Sequence, residues 1–283
     1  MWSVCTVTYG DYPELIGKTL QSLHDQYNHR VKDIRIGLNA VSEATFDVVM
    51  RWCSTFRLCP VYVYQEVNNQ NVGKYALMRR MFYEYPSPLA DSEAVMWFDD
   101  DSYLGPEVKD SWWDTVASAL GRSTVVGLKH FISARGNQHE GIKQQPWYAD
   151  AEVRKRHRFT FATGAWWIAK SPFLYRWDYP FKEIYHNGGD SILGELCRQQ
   201  SAVIYDFKAF AQCHAQCCLK GKNAGKLKQN VVHVNVGGRE GRRGIGKKTA
   251  DEVYPWHFYG EKEQSYEHHN FDVRIYKFDG VHS

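Results

Sequence analysis

Three consecutive carboxylates, Asp99, Asp100 and Asp101, follow the apolar run Ala94-Val-Met-Trp-Phe98. Carboxylates this close repel one another, so the cluster is costly unless a cation neutralises it. A hard divalent ion such as Mn2+ or Mg2+ takes oxygen ligands and suits that purpose. Five apolar residues in a row read as a strand buried in a parallel sheet. In open α/β sheets, ligands bind at the carboxyl ends of strands. The placement therefore points to a metal that holds a diphosphate. The competing reading is a helix cap followed by a solvated acidic loop.

Two further groups of residues carry possible chemistry. Cys213-His214, followed by Cys217-Cys218, brings soft ligands together. Zinc would accept them, but no second cysteine pair stands at finger-like spacing, so reduced thiols in a helix or turn are the alternative. Three basic clusters occupy the C-terminal half: Arg154-Lys-Arg-His-Arg158, the lysines 220, 222, 226 and 228, and Arg239, Arg242, Arg243, Lys247 and Lys248. Glycine-rich basic loops suit phosphate backbones, though the same pattern serves as a solvated face.

The elements that must position these groups follow from the hydrophobic period. Residues 3 to 8 alternate and are β-branched, which predicts a first strand. Leu15, Leu20, Leu23 and Tyr27 then share a helical face. Ile34 to Leu38, ending at Asn39, and Val61 to Gln65 are the next strands. Tyr75, Met78, Met81, Phe82 and Tyr85 form a helical stripe of core type, and a helix around Val108, Trp112 and Val116 follows the acidic strand. Strands alternating with helices over residues 1 to 130 predict a mostly parallel sheet flanked by helices.

The pattern then changes. Residues 130 to 158 are a polar excursion, Phe159 to Ala169 is apolar and aromatic, and Asp190 to Gln200 is helical. Glycine and basic residues dominate from Leu219 to Thr249, interrupted by a short strand over Val231 to Val236. Phe271 to Phe278 alternates and predicts a late edge strand. The simplest account is one domain over residues 1–283 with an elaborated C-terminal half.

Bulk properties narrow the class. Hydrophobic residues make up 43% and charged residues 24% of 283 residues, which is ordinary for a globular chain. A net charge of +3 does not by itself demand a polyanionic partner. No apolar run approaches the roughly 20 residues that span a bilayer. The start, Met-Trp-Ser-Val-Cys-Thr-Val-Thr, reads as a strand and not as a signal peptide. Seven cysteines at irregular spacing argue against a disulfide framework, so a soluble cytoplasmic protein is expected. Aromatics reach 15%; they suit sugars and bases, and they also fill cores.

Four segments stand in a telling order. They are Val4-Cys-Thr-Val-Thr-Tyr-Gly10 with its following helix, Asn69-Gln-Asn-Val-Gly-Lys-Tyr-Ala76, the acidic segment Phe98 to Pro106, and Thr163-Gly-Ala-Trp-Trp-Ile-Ala169 followed by Asn187-Gly-Gly-Asp-Ser-Ile-Leu-Gly-Glu-Leu196. Over about residues 3 to 200 this order resembles glycosyltransferases of the GT-A fold, nearest to the family 2 type. The resemblance implies a nucleotide-sugar-binding half over 1–130 and an acceptor-binding half over 131–283, with a mobile basic loop near 237–248.

It also implies roles. Asp99 and Asp101 match the two acidic positions of the family's metal-binding Asp-x-Asp motif, with Asp100 between them. Asp101 is assigned direct contact with Mn2+ or Mg2+, and Asp99 either the metal or the ribose. His233 resembles the late histidine that completes the metal shell. Asp190 resembles the catalytic base of an inverting transfer, although Gly189 stands where the family usually has Glu; capping of the helix from Ser191 is its alternative role. Thr8, Tyr9, Asn39, Lys74, Asp99 and Asp100 form the implied donor site, with Tyr9 against the base, Asn39 reading it and Lys74 near phosphate. Trp166 and Trp167 belong to the acceptor segment, where one indole would stack on a sugar or base and the other pack in the core. A UDP-sugar is the expected donor.

The signature Gln-x-x-Arg-Trp of the family's polymer-extruding synthases is absent. The basic clusters, Arg242 and Arg243 among them, make DNA the favoured acceptor, through a hydroxymethylated pyrimidine as in phage enzymes of this fold. The alternatives are an enzyme of cell-surface glycan synthesis and a nucleic-acid-binding module that has lost catalysis.

Overall fold

Nine residues from Trp2 to Gly10 form β1, and most of them are buried on both sides. A strand covered on both faces must sit in the middle of its sheet, and β1 does. The computed structural model describes residues 1–84, 89–106, 108–131, 160–180, 189–207, 231–233 and 271–280. After β1 come α1 (Pro13–Asp25), β2 (Val31–Val41), α2 (Glu43–Thr55), β3 (Val61–Glu66), α3 (Lys74–Tyr83), β4 (Ala94–Asp99), β5 (Ser102–Leu104), α4 (Asp110–Gly121) and β6 (Val125–Phe131). Then follow β7 (Thr160–Lys170), α5 (Ser171–Arg176), α6 (Gly189–Gln199), β8 (Ile204–Asp206), β9 (Val231–His233) and β10 (Val273–Phe278).

Eight strands make one sheet in the order β10-β3-β2-β1-β4-β7-β6-β8, and β5 pairs with β9 in a two-stranded ribbon. The segment β3-β2-β1-β4 is parallel throughout. β7 runs antiparallel to both β4 and β6, β8 is parallel to β6, and β10 is antiparallel to β3. The α/β architecture predicted for residues 1 to 130 is present, but two later strands, β7 and β10, run against the rest of the sheet. Hydrophobic alternation tells which residues face a core and not which way a neighbouring strand runs.

The side-chain period of two divides the sheet into faces. Trp2, Val4, Met96, Phe98, Trp166 and Ile168 pack on one face with α1, α2 and α4. Cys5, Val7, Val95, Trp97, Trp167 and Ala169 pack on the other with α3, α5 and α6. Two local devices bring the helices down. Ser42 caps α2 by accepting the N–H of Thr45 at 3.2 Å. Gly37 lets α3 settle on β2, because a Cβ there would lie 2.7 Å from Val7, 2.8 Å from Leu77 and 2.9 Å from Met81.

The strand order reverses between β1 and β4: β2 and β3 lie on one side of β1, and β4 on the other. At such a switch point the loops from adjacent strand ends diverge and leave a crevice. The predicted strand from Val231 to Val236 is described only to His233. Among the described residues no helix is long and apolar enough to cross a membrane.

Candidate active site

The switch point is fastened first by Asp100. The N–H of Tyr9, at the end of β1, donates to Asp100 Oδ2 at 3.3 Å. The Thr19 hydroxyl, from α1, donates to the carbonyls of Asp100 and Ser102 at 3.1 and 2.9 Å. These bonds pin the turn after β4 to the neighbouring strand and helix. Asp100 is 6% exposed and Asp101 2%, so both carboxylates are turned inward.

Asp99 points the other way, as alternation along β4 requires. Its Oδ1 accepts the Trp97 indole N–H at 3.0 Å and pairs with the Lys74 ammonium. Lys74 starts α3, and its Nζ lies 5.1 Å from the centroid of Trp97 and 5.4 Å from that of Tyr75. Two aromatic faces and one carboxylate thus hold the ammonium. The pair is only about one-fifth exposed, so its attraction is stronger than that of an open surface pair.

Gly164 locates the centre of the site. A Cβ at Gly164 would lie 3.7 Å from Asp99 Oδ2, 3.8 Å from Lys74 Nζ and 3.9 Å from Asp190 Oδ2. Two carboxylates and one ammonium, from β4, α3 and the first turn of α6, therefore surround a single point that the glycine leaves open. The β4–β7 ladder ends at Phe98 opposite Trp166, and this brings Gly164 beside the strand end. Tyr75, fully buried between them, has its phenol pKa pushed well above the usual value, first by burial and then by the charges of Asp190 and Asp99. It is a neutral phenol in the working pH range.

The donor-side residues divide. Tyr9 is partly exposed at the rim. Asn39 is 2% exposed, and its amide is engaged with the chain before α3: Oδ1 accepts the N–H of Val72 at 2.9 Å and Nδ2 donates to Asn71 at 3.0 Å. Asn69 returns the favour, bonding both the N–H and the carbonyl of Val41 through its side chain at 3.1 and 2.8 Å. Asn39 therefore shapes the loop over 69–73. Thr8 is fully buried within the sheet, with no hydrogen-bond partner for its hydroxyl among the described residues, so the expected open donor contact is corrected to an enclosed side chain.

The tryptophans need the same correction. Trp166 is 0% and Trp167 2% exposed. Trp166 packs against Phe98, Trp112 and Phe207, while Trp167 stacks on Trp97 with centroids 6.2 Å apart. Helices cover both faces of the sheet, so both indoles are core and neither presents a face to an acceptor. Arg242, Arg243 and the Cys213, His214, Cys217 and Cys218 cluster lie outside the described residues. The other cysteines, Cys5, Cys53, Cys59 and Cys197, are buried free thiols.

For a divalent ion, Asp101 and His233 are the relevant residues. The β5–β9 ladder sets the backbone of His233 opposite Ser102, one residue from Asp101. Among the described residues no three acidic, histidine or cysteine side chains are gathered around one point. Asp101 offers carboxylate oxygens of the kind a hard divalent ion takes. Three signals escaped the sequence reading: Gly164 as the open centre, Tyr75 as a neighbour of both carboxylates, and Asn39 as a loop anchor. Only the first left a trace, as the small residues of Thr163-Gly-Ala165.

No known family model matches the chain, and no curated protein matches it in sequence. Solved structures are similar in the course of the chain. The mannosyltransferase PcManGT from Pyrobaculum calidifontis, in complex with GDP-Man and Mn2+, is 18% identical with a TM-score of 0.48, covering 72% of this chain and 54% of that one. S. aureus TarS 1-349 is 15% identical, TM-score 0.47, over 78% and 66%. Glucosyl-3-phosphoglycerate synthase from Mycobacterium tuberculosis, with Mn2+, UDP and glucosyl-3-phosphoglycerate, is 13% identical, TM-score 0.46, over 73% and 68%. The chain spans about half to two thirds of the length of these structures.

Proposed function

We propose that this chain is a glycosyltransferase of GT-A type, moving a sugar from a nucleotide-sugar donor to an acceptor hydroxyl with inversion. One observation carries the reading: Asp99, Lys74 and Asp190 converge on the open point at Gly164, beside the crevice between β1 and β4. A crevice at that position suits a nucleotide diphosphate. Lys74 is placed to leave Asp99 for a phosphate oxygen and so hold negative charge on the departing diphosphate. Asp190 takes the proton of the acceptor hydroxyl. The hydroxyl oxygen then bonds the anomeric carbon, and the bond from that carbon to the diphosphate breaks with its electron pair on the leaving group. Asp101 and His233 would hold Mn2+ or Mg2+, which supplies a Lewis acid for the diphosphate.

Support for a DNA acceptor comes from the sequence alone, from the basic clusters over 154–158, 220–228 and 239–248. The test offers UDP-glucose, UDP-N-acetylglucosamine and GDP-mannose with Mn2+ to plain DNA, hydroxymethylated DNA and simple glycans. Nucleoside diphosphate release and acceptor mass are read together. Asp190→Asn is expected to slow transfer at least about 100-fold while donor KM stays within twofold. An unchanged rate would remove Asp190 from the chemistry. EDTA is expected to stop transfer and Mn2+ to restore it; transfer that persists in EDTA would remove the metal from the reading.

A further inference from the structure

We infer that Tyr75 is the positioning residue of Asp190, its phenol gripping the first turn of α6 and aiming that carboxylate at the space beside Gly164. The inference rests on the function proposed above. On the sequence, Tyr75 is one member of a core stripe with Met78, Met81 and Phe82, and a phenylalanine would fill a core as well. The hydroxyl needs its own explanation, because a buried hydroxyl without partners is costly.

Gly189 supplies that explanation. A Cβ at this position would fall 2.1 Å from Tyr75 Cζ and 2.4 Å from its Oη. The ring therefore occupies the place of a side chain at 189, and only glycine fits while residue 75 is tyrosine. The phenol oxygen thus lies against the backbone at the start of α6, where the first N–H groups of a helix have no partner within it. A second tyrosine works from the opposite side: Tyr179 donates its hydroxyl to the Gly189 carbonyl at 3.1 Å. Gly189 is thus packed against the Tyr75 ring from α3 and held at its C=O by Tyr179 from the segment after α5. Asp190 stands inside the first turn of α6, one residue past Gly189.

The same turn of α3 serves both carboxylates. Lys74 holds Asp99, and the next residue packs on Gly189, the neighbour of Asp190. The loop leading into that turn is tied to β2 through the Asn39 bond to Val72. The spacing of the two acids is therefore set by one helix start.

The test uses the full chain. Tyr75→Phe keeps the ring and removes the oxygen. With the donor found active among UDP-glucose, UDP-N-acetylglucosamine and GDP-mannose, kcat is expected to fall about tenfold or more while donor KM stays within twofold. An unchanged kcat would overturn the assignment. Gly189→Ala is expected to lose both stability and turnover, and the double variant Gly189→Ala with Tyr75→Ala to regain stability without turnover. Full recovery of kcat in the double variant would reduce Tyr75 to packing. Amide hydrogen exchange at Gly189 and Asp190 gives a readout free of activity. Exchange is expected to quicken at least about tenfold in Tyr75→Phe, and unaltered exchange would overturn the grip. If every donor is inert, the glycosyltransferase reading fails, and the exchange arm alone still decides whether Tyr75 holds the turn.

Discussion

At the scale of the residue, the site is organised around an atom that is missing. Gly164 has three charged groups at 3.7 to 3.9 Å from where a Cβ would stand. Those are ordinary contact distances, so a methyl group fits and a branched side chain fills the space a sugar would need. Gly164→Val is expected to leave the thermal midpoint within a few degrees, since valine favours strands, yet to cut turnover at least about 100-fold. Gly164→Ala should retain measurable turnover in the same assay. Equal turnover in Gly164→Val and the parent would show that the reacting groups lie elsewhere. Acidic residues advertise themselves in a sequence because clustered charge demands a partner, and Asp99 was legible for that reason. An absent side chain advertises nothing. The tryptophans misled for the opposite reason: an aromatic pair looks the same whether it faces a sugar or a second layer of helices, and only the burial of both faces decides between them.

At the scale of the element, α3 carries the most consequence, because its first turn bears Lys74 and Tyr75. Its seat is Gly37, whose absent Cβ would meet Val7, Leu77 and Met81 at under 3 Å. Gly37→Ala is expected to cost about 1–3 kcal/mol by overpacking, measured by urea unfolding. It should also lower kcat more than Gly17→Ala, where a Cβ meets only Val48 at 3.6 Å. Equal stability in both variants would mean that α3 can lift without strain. Most early elements were legible, since β1 and β2 alternate with β-branched or aliphatic residues and β3 and β4 are short, mostly apolar runs. α2 and β6 were not. Glu43 to Thr55 breaks its apolar stripe with polar and charged residues, and Val125 to Phe131 places Gly127 and Lys129 where a strand would alternate cleanly. The direction of β7 was also illegible, because pairing sense depends on the partner and not on the strand's own pattern.

At the scale of the whole molecule, two cores share one sheet, and each contains thiols. Burial pushes Cys53, Cys59 and Cys197 up to about 12, and Cys5 higher still. A thiol reacts as its thiolate, so at pH 8 these four are nearly inert in the folded chain. Of the seven cysteines, no more than three should react with Ellman's reagent before unfolding, and the other four should appear together in guanidinium. Raising the pH to 9 should add none, because that is still well below their titration. Early reaction of a fourth thiol would reveal that one core opens separately from the other.

The hairpin of β6 and β7 sets Phe131 directly opposite Thr160. The backbone at residues 131 and 160 is thus clasped by the ladder itself. Lengthening a connection between two fixed ends costs only about 0.6 kcal/mol for each doubling, so stability is expected to respond weakly to the number of residues between these two positions.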